Sequence, residues 1–144
     1  MTGFQLETFL PYQLAVLSAR LSEGFARHYR DEYGISVAEW RVVAHLSQAE
    51  AVSVREVCRQ VNMEKPKVSR AAKRLGQAGY VRKVTSTADR RLVELSLTAK
   101  GRAMIEALAP LALEYEAEVL AVLGAKGEDF RDLSQRLNTA LGAY

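Results

Sequence analysis

The densest group of chemically active side chains in this sequence lies between residues 65 and 91. The segment holds nine basic residues and one acid, a local charge of +8, while the whole chain carries +3 and the remainder therefore carries −5. The basic residues are Lys65, Lys67, Arg70, Lys73, Arg74, Arg82, Lys83, Arg90 and Arg91. A basic block on an otherwise acidic protein is typical of a surface that binds a polyanion.

The first half of this block has the periodicity of an amphipathic helix. From about residue 64 to residue 77 the spacing i, i+3, i+4, i+7 predicts a helix with one buried apolar stripe, formed by Val68, Ala71, Ala72 and Leu75. The basic side chains lie elsewhere on this helix, where they can reach phosphates and base edges in the major groove of DNA. The predicted contacts are Lys65, Lys67, Ser69, Arg70, Lys73 and Arg74, with Ser69 and Arg70 reading bases.

A β-hairpin is predicted after this helix, with its turn in the second half of the basic block. Residues 81–85 have strand character, and apolar and polar residues alternate over residues 92–97. The turn places Asp89, Arg90 and Arg91 at the tip, where arginine can enter the minor groove. Asp89 is expected to hold Arg91 by a charge-assisted hydrogen bond, which leaves Arg90 to contact phosphate. All three residues belong to the predicted DNA site.

Two capping boxes precede the basic helix. Ser36 is followed three residues later by Glu39, and Ser53 by Glu56, so each pair predicts a helix start. The short connection at Asn62 then leads into the basic helix. Two capped helices, a short turn and a basic helix form the pattern of a helix-turn-helix.

The terminal segments predict long helices with apolar faces. The first helix, from about Thr8 to Tyr33, carries Leu10, Leu14, Leu17 and Leu21; the last carries Phe130, Leu133, Leu137 and Leu141. These faces are too apolar to remain in water, so we expect them to pack against a second copy of the chain. The predicted fold is mostly α with a small β-wing: a winged helix-turn-helix that dimerises through its N- and C-terminal helices. The expected domains are 1–35 for the N-terminal dimerisation helix, 36–98 for DNA binding and 99–144 for the C-terminal dimerisation helices.

Several functional classes are disfavoured by composition. No apolar run approaches the roughly 20 residues of a membrane helix, and the N-terminus lacks a signal-peptide pattern, so a cytoplasmic protein without membrane contact is expected. One cysteine excludes an internal disulfide, and two histidines form no recognisable metal-binding spacing. No nucleophile–base pair or phosphate-binding glycine loop is evident, so we expect neither an enzyme nor a cofactor.

The motifs in the basic region and after it resemble those of the MarR family of winged helix-turn-helix transcription regulators. They are Lys65-Pro-Lys-Val-Ser-Arg70, Leu75-Gly-Gln-Ala-Gly79-Tyr-Val-Arg82, Asp89-Arg-Arg91 and Leu95-Ser-Leu-Thr98-Ala-Lys-Gly101. The resemblance implies a homodimer that binds palindromic DNA near promoters and usually represses. It also implies release of the DNA when a small molecule, often an aromatic or amphiphilic acid or its CoA thioester, enters a cleft beside the dimer helices.

The effector and the mode of control stay open at the sequence level. Phe9-Leu-Pro-Tyr12 and Glu39-Trp40-Arg41 are similar to segments of family members that govern phenylpropenoid catabolism and sense CoA thioesters. The ligand-binding candidates are Tyr12, Arg20, Trp40 and Arg41, although surface or core roles would also explain them. Alternatives are a thiol-based redox-sensing repressor, for which Cys58 occupies an unfavourable apolar position, and a winged-helix module for protein interaction or dimerisation.

Overall fold

The computed structural model describes residues 3–89 and 91–142. The chain divides into two compact units, Met1–Leu108 and Ala109–Tyr144. The described residues are mostly helical, with one small antiparallel sheet in the first unit. The predicted fold class, mostly α with a small β-wing, is confirmed.

The first unit begins with a 3-10 turn, Leu6–Thr8, followed by helix α1, Leu10–Ala26, and the short helix α2, Arg30–Tyr33. The prediction of one helix from Thr8 to Tyr33 was wrong, because the chain turns between α1 and α2. Tyr29 leaves helical geometry there, with φ −128°, and its buried ring stacks on Trp40 at 5.5 Å. The break therefore lets an aromatic side chain enter the core.

Three helices form the centre of the first unit: α3, Val37–Leu46; α4, Val54–Val61; and α5, Lys65–Gln77. The capping box at α3 is complete, because Ser36 and Glu39 exchange hydrogen bonds, and Ser53 Oγ accepts from the Glu56 N–H at 3.1 Å. Asn62 ends α4 in the left-handed conformation with φ 53°, which turns the chain sharply into α5. The predicted helix-turn-helix is confirmed as α4 and α5.

The sheet contains β1, Val52–Ser53; β2, Val81–Thr85; and β3, Val93–Leu97, in the order β1-β3-β2. Strands β2 and β3 form the predicted hairpin, with Val81 opposite Leu97 and Thr85 opposite Val93. Strand β1 pairs Val52 with Leu95 and was not predicted, because two residues are too few to show alternation.

The core of the first unit lies between the helix-turn-helix, α3 and the sheet. Its fully buried side chains come from every one of these elements and from the start of helix α6, Ala99–Ala121. They include Val42, Val43, Leu46, Val57, Val68, Leu75, Leu95, Met104 and Leu108. This core holds α5 by its apolar side and leaves the opposite side to solvent.

The second unit contains the rest of α6, a 3-10 turn at Gly124–Lys126 and helix α7, Gly127–Leu141. Arg131 on α7 donates to Glu116 on α6 at 3.0 Å. Several large apolar side chains are exposed on this unit, namely Leu113, Val122, Leu123, Phe130, Leu133, Leu137 and Leu141. Within the described residues, no helix combines the length and apolar character that crossing a bilayer requires.

Candidate nucleic-acid interface

Helix α5 presents a two-sided surface. Its buried residues are the predicted stripe of Val68, Ala71, Ala72 and Leu75. The cations predicted to contact DNA are exposed, namely Lys65, Lys67, Arg70, Lys73 and Arg74, while Ser69 is half-buried. Because the apolar side is fixed in the core, α5 can offer only its charged side to a polyanion.

The C-terminal end of α5 is fastened to the first turn of α6. Lys100 Nζ donates to the carbonyl oxygen of Ala78 at 2.7 Å and lies 4.6 Å from the Tyr80 ring centroid. Thr98 caps α6 through the Gly101 N–H at 3.1 Å, and its hydroxyl donates to the Gly79 carbonyl at 2.5 Å. We call Thr98, Lys100 and Gly101 the clasp. A cation at a helix C-terminus also satisfies orphan carbonyls.

The hairpin between β2 and β3 ends in an ordered turn. Ser86 Oγ accepts from the N–H groups of Ala88 and Asp89, each at 3.3 Å. Asp89 Oδ1 accepts from the Arg91 N–H at 3.0 Å and lies 3.5 Å from Arg91 Nε. The structure thus brings Asp89 and Arg91 together in the predicted way. Arg90, also predicted to contact DNA, lies outside the described residues.

A cavity of about 220 Å³ opens between α4, α5 and the wing, which is the hairpin of β2 and β3 with its turn. Four cationic side chains from three elements line it, together with Ser53 and Ser69; the cations are Arg55, Lys65, Lys83 and Arg91. The half-buried Cys58 also lines the cavity, so it is less enclosed than its apolar sequence position indicated. Cationic side chains of the helix-turn-helix and of the wing therefore meet at one cavity.

The four ligand-binding candidates lie in two different settings. Trp40 packs edge to face on Phe25 with ring centroids 5.0 Å apart, and Arg41 Nη2 donates to the Ser22 hydroxyl at 3.1 Å. These contacts join α3 to α1. Tyr12 and Arg20 remain exposed on α1.

Tyr29 belongs to the same aromatic cluster. Its ring is fully buried, and among the described residues its hydroxyl has no hydrogen-bond partner. Burial raises the pKa of Tyr29 to about 12, although the nearby Arg30 and Arg41 charges oppose this shift. The Tyr29 side chain is therefore a neutral phenol within the aromatic cluster that joins α1 to α3.

Several polar residues that support the interface were not predicted from the sequence. Glu39 appeared as a capping residue and within a family-like segment, yet its carboxylate pairs with Arg74 on α5 at 3.8 Å. Lys100 appeared only within a motif, and Arg55 lay outside the basic segment. The capping spacing does identify Glu39 as an N-terminal helix residue, but a contact across 35 positions depends on the tertiary fold.

A basic recognition helix, a preceding capped helix and a basic hairpin define a winged helix-turn-helix DNA-binding regulator. The sequence profile of the MarR family matches residues 33–92. An uncharacterised HTH-type transcriptional regulator of Bacillus subtilis, YwoH, is 30% identical over 115 residues, 80% of this chain and 78% of that protein. The chain belongs to the MarR family of transcriptional regulators.

Solved structures agree with this assignment. The MarR family regulator SPO1453 from Silicibacter pomeroyi matches with a TM-score of 0.79 and 29% identity, covering 95% of this chain and 98% of the other. The same fold is found in NadR in complex with 4-hydroxyphenylacetate, at 22% identity, 99% coverage of both chains and a TM-score of 0.79. It also occurs in Bordetella bronchiseptica BpsR, whose DNA binding is regulated by 6-hydroxynicotinic acid, at 20% identity, a TM-score of 0.80 and coverages of 94% and 96%. YwoH and SPO1453 are transcriptional regulators rather than enzymes, and dimers are typical of the family.

Proposed function

We propose that this protein is a sequence-specific repressor of nearby catabolic or efflux genes, released from DNA by a small aromatic or amphiphilic acid or its CoA thioester. The observation that carries the DNA-binding part is the two-sided helix α5, with its aliphatic side buried and its cations exposed. Phosphate contacts provide most of the affinity, and base contacts provide specificity.

Each DNA contact has a proposed role. Ser69 and Arg70 read base edges in the major groove, and Arg91 enters the minor groove under the restraint of Asp89. The remaining cations bind phosphate, namely Lys65, Lys67, Lys73, Arg74 and Arg90. The exposure of the described cations and the Asp89–Arg91 contact support this division of roles.

The proposed active form is a two-fold dimer on a palindromic operator. Residues 1–35 and 99–144 provide the dimer contacts, and residues 36–98 bind DNA. The apolar side chains exposed on α1 and α7 support this arrangement, since single chains rarely leave such faces in water. Two recognition helices would then lie about 34 to 36 Å apart, which is one turn of duplex.

The effector would bind beside α1 and α3 and change the spacing of the two recognition helices. Tyr12, Arg20, Trp40 and Arg41 are the proposed ligand contacts, with Arg20 or Arg41 pairing with an acidic group. The aromatic acids bound by NadR and acting on BpsR support this effector class. Release requires that the ligand bind the DNA-incompatible state more tightly.

A mobility-shift titration tests the proposed DNA binding. The full-length protein is titrated against the duplex upstream of its own gene and against a shuffled duplex of equal composition. We expect a discrete complex with the upstream duplex at protein concentrations that leave the shuffled duplex free. Equal binding to both duplexes would contradict sequence-specific control.

A thermal-shift screen tests the proposed effector class. Aromatic acids and their CoA thioesters that bind the folded protein should raise its unfolding midpoint, and the same compounds should dissociate the complex with DNA. Calorimetry on the Arg20→Ala/Arg41→Ala variant should show weaker binding of an acidic effector. Unchanged affinity would remove both arginines from the site.

A further inference from the structure

The buried carboxylate of Glu39 contacts helix α5, the recognition helix of the helix-turn-helix. The Glu39 side chain on α3 is 6% exposed, and its Oε2 lies 3.8 Å from Nη1 of Arg74, whose side chain is 67% exposed. A buried charge is costly unless it is paired and hydrogen-bonded, so Glu39 is not an ordinary solvated surface group.

The carboxylate of Glu39 is fixed on its other side. It accepts from the Ser36 hydroxyl at 2.8 Å and from the Ser36 N–H at 3.4 Å, while the Glu39 N–H donates to Ser36 Oγ at 3.2 Å. These bonds tie the acid to the start of α3. Arg74, which is long and mostly exposed, is therefore the less constrained member of the pair.

We propose that Glu39 is a positioning residue for DNA binding, whose carboxylate holds the Arg74 guanidinium on the flank of α5 in a conformation ready to contact a DNA phosphate. The inference rests on the proposed function. A guanidinium carries five N–H donors, and the contact with Glu39 uses one nitrogen, so donors remain for phosphate. A side chain that is already held loses less conformational entropy on binding.

The same turn of α3 contacts the N-terminal helix. Trp40, next in sequence, packs on Phe25, and Arg41 donates to Ser22 of α1. Any displacement of α3 relative to α1 therefore moves the Glu39 carboxylate as well. The Glu39–Arg74 contact is one path by which such a displacement would reach Arg74.

A double-mutant cycle on operator affinity tests this role. Glu39→Gln keeps oxygen and nitrogen atoms near Ser36 but removes the charge, and it is measured with Arg74 present and in the Arg74→Ala background. Removing a negative charge strengthens DNA binding at long range in both backgrounds, so this effect cancels in the cycle. Each background gives a ratio of operator dissociation constants, that of the Glu39→Gln protein over that of the protein with Glu39. We expect this ratio to be about threefold to tenfold higher when Arg74 is present than in the Arg74→Ala background.

Glu56→Gln is the matched control. Glu56 also occupies the third position of a capped helix and pairs with a cation, Arg59, at 3.6 Å. Because Arg59 has no proposed DNA contact, Glu56→Gln should show no coupling to Arg74. A purely structural role for Glu39 would lower the unfolding midpoint and weaken DNA binding equally in both backgrounds.

Arg74→Lys gives a second test that leaves α3 intact. Lysine keeps the charge but lacks the planar fork that could contact Glu39 and phosphate together, so affinity should fall measurably below that of the wild type and stay above that of Arg74→Ala. A coupling factor of one, a coupling of opposite sign, or wild-type affinity for Arg74→Lys would overturn the inference. If the wild-type protein itself failed to bind the upstream duplex, the proposed function would fail instead.

Discussion

Neighbouring cations on α5 have different surroundings and should have different effects on DNA binding. Arg70 lies opposite the buried stripe, where a side chain of a DNA-bound helix would face the floor of a groove, whereas Lys67 lies on a flank, where a side chain would face phosphate. Position on the helix is therefore expected to contribute, together with charge, to whether a residue reads sequence.

Replacement of Arg70 by Ala should relax specificity. The lost base contact is expected to cost about 1 to 3 kcal/mol at one base pair of each half-site, while binding to random DNA weakens less. The measurement is the ratio of dissociation constants for specific and shuffled duplexes. Lys67→Ala is the comparison, because loss of a phosphate contact should weaken both duplexes alike. An unchanged ratio for Arg70→Ala would exclude base reading by this residue.

Tyr29 offers a test of the aromatic cluster between α1 and α3. Its hydroxyl is buried without a described partner, so Tyr29→Phe should maintain or raise the free energy of unfolding, by up to about 1 kcal/mol. A clear loss of stability would mean that the hydroxyl has a partner in the active assembly.

The pH dependence of the same variant follows from the raised pKa. Because the folded-state pKa of about 12 exceeds the ordinary value of 10.0, the folded state favours the protonated phenol. The associated stability is complete below pH 10 and is lost as the pH rises towards 12. Tyr29→Phe should therefore lose less stability than the wild type over this interval in urea titrations. Parallel curves would contradict a buried phenol.

At the scale of elements, the clasp between α5 and α6 requires a glycine. A Cβ at Gly101 would lie far inside van der Waals contact with the Tyr80 carbonyl oxygen. We expect Gly101→Ala to lower the free energy of unfolding by about 1 to 3 kcal/mol, because backbone must move. The measurement is chemical denaturation monitored by circular dichroism.

Gly76 provides the control for that substitution. It lies inside α5, and a Cβ there would be 3.7 Å from the Val81 carbonyl oxygen, an ordinary contact. Gly76→Ala should stabilise the protein by about 0.5 to 1 kcal/mol through helix propensity. Equal effects of the two substitutions would show that the close approach at Gly101 is not a constraint.

Local patterns predicted most of the elements. Ser36 with Glu39 and Ser53 with Glu56 mark helix starts by hydrogen bonds that span three residues, and the stripe from Val68 to Leu75 needs only helical spacing. The Asp89–Arg91 contact also spans two residues and was predicted correctly. Interactions of this range can be predicted because both partners lie close together in the sequence.

Features that depend on distant residues were not predictable in this way. At the break before α2 the Tyr29 ring stacks on Trp40, and strand β1 is defined by the pairing of Val52 with Leu95. The Glu39–Arg74 pair likewise depends on how α3 packs beside α5. Periodicity within one segment contains no information about such partners.

At the scale of the whole molecule, dimerisation should control DNA affinity. Leu133 and Leu137 are exposed on one side of α7, so replacing both with Glu should prevent their burial against a second copy. Light scattering should then report a monomer, and operator affinity should fall about a hundredfold because one half-site is lost. Gln135→Glu, on another side of α7, should remain dimeric. A dimer in the Leu133→Glu/Leu137→Glu variant would place the dimer contact elsewhere.

The most direct test of the central claim, that a paired cationic helix reads duplex DNA, is the salt dependence of operator binding. Fluorescence anisotropy should follow the wild-type dimer on its upstream duplex from low to moderate salt. With about six to ten phosphates neutralised, the logarithm of the association constant should fall with the logarithm of salt concentration at a slope of about −5 to −9. A slope near zero, or equal affinity for a shuffled duplex at every salt concentration, would contradict the account.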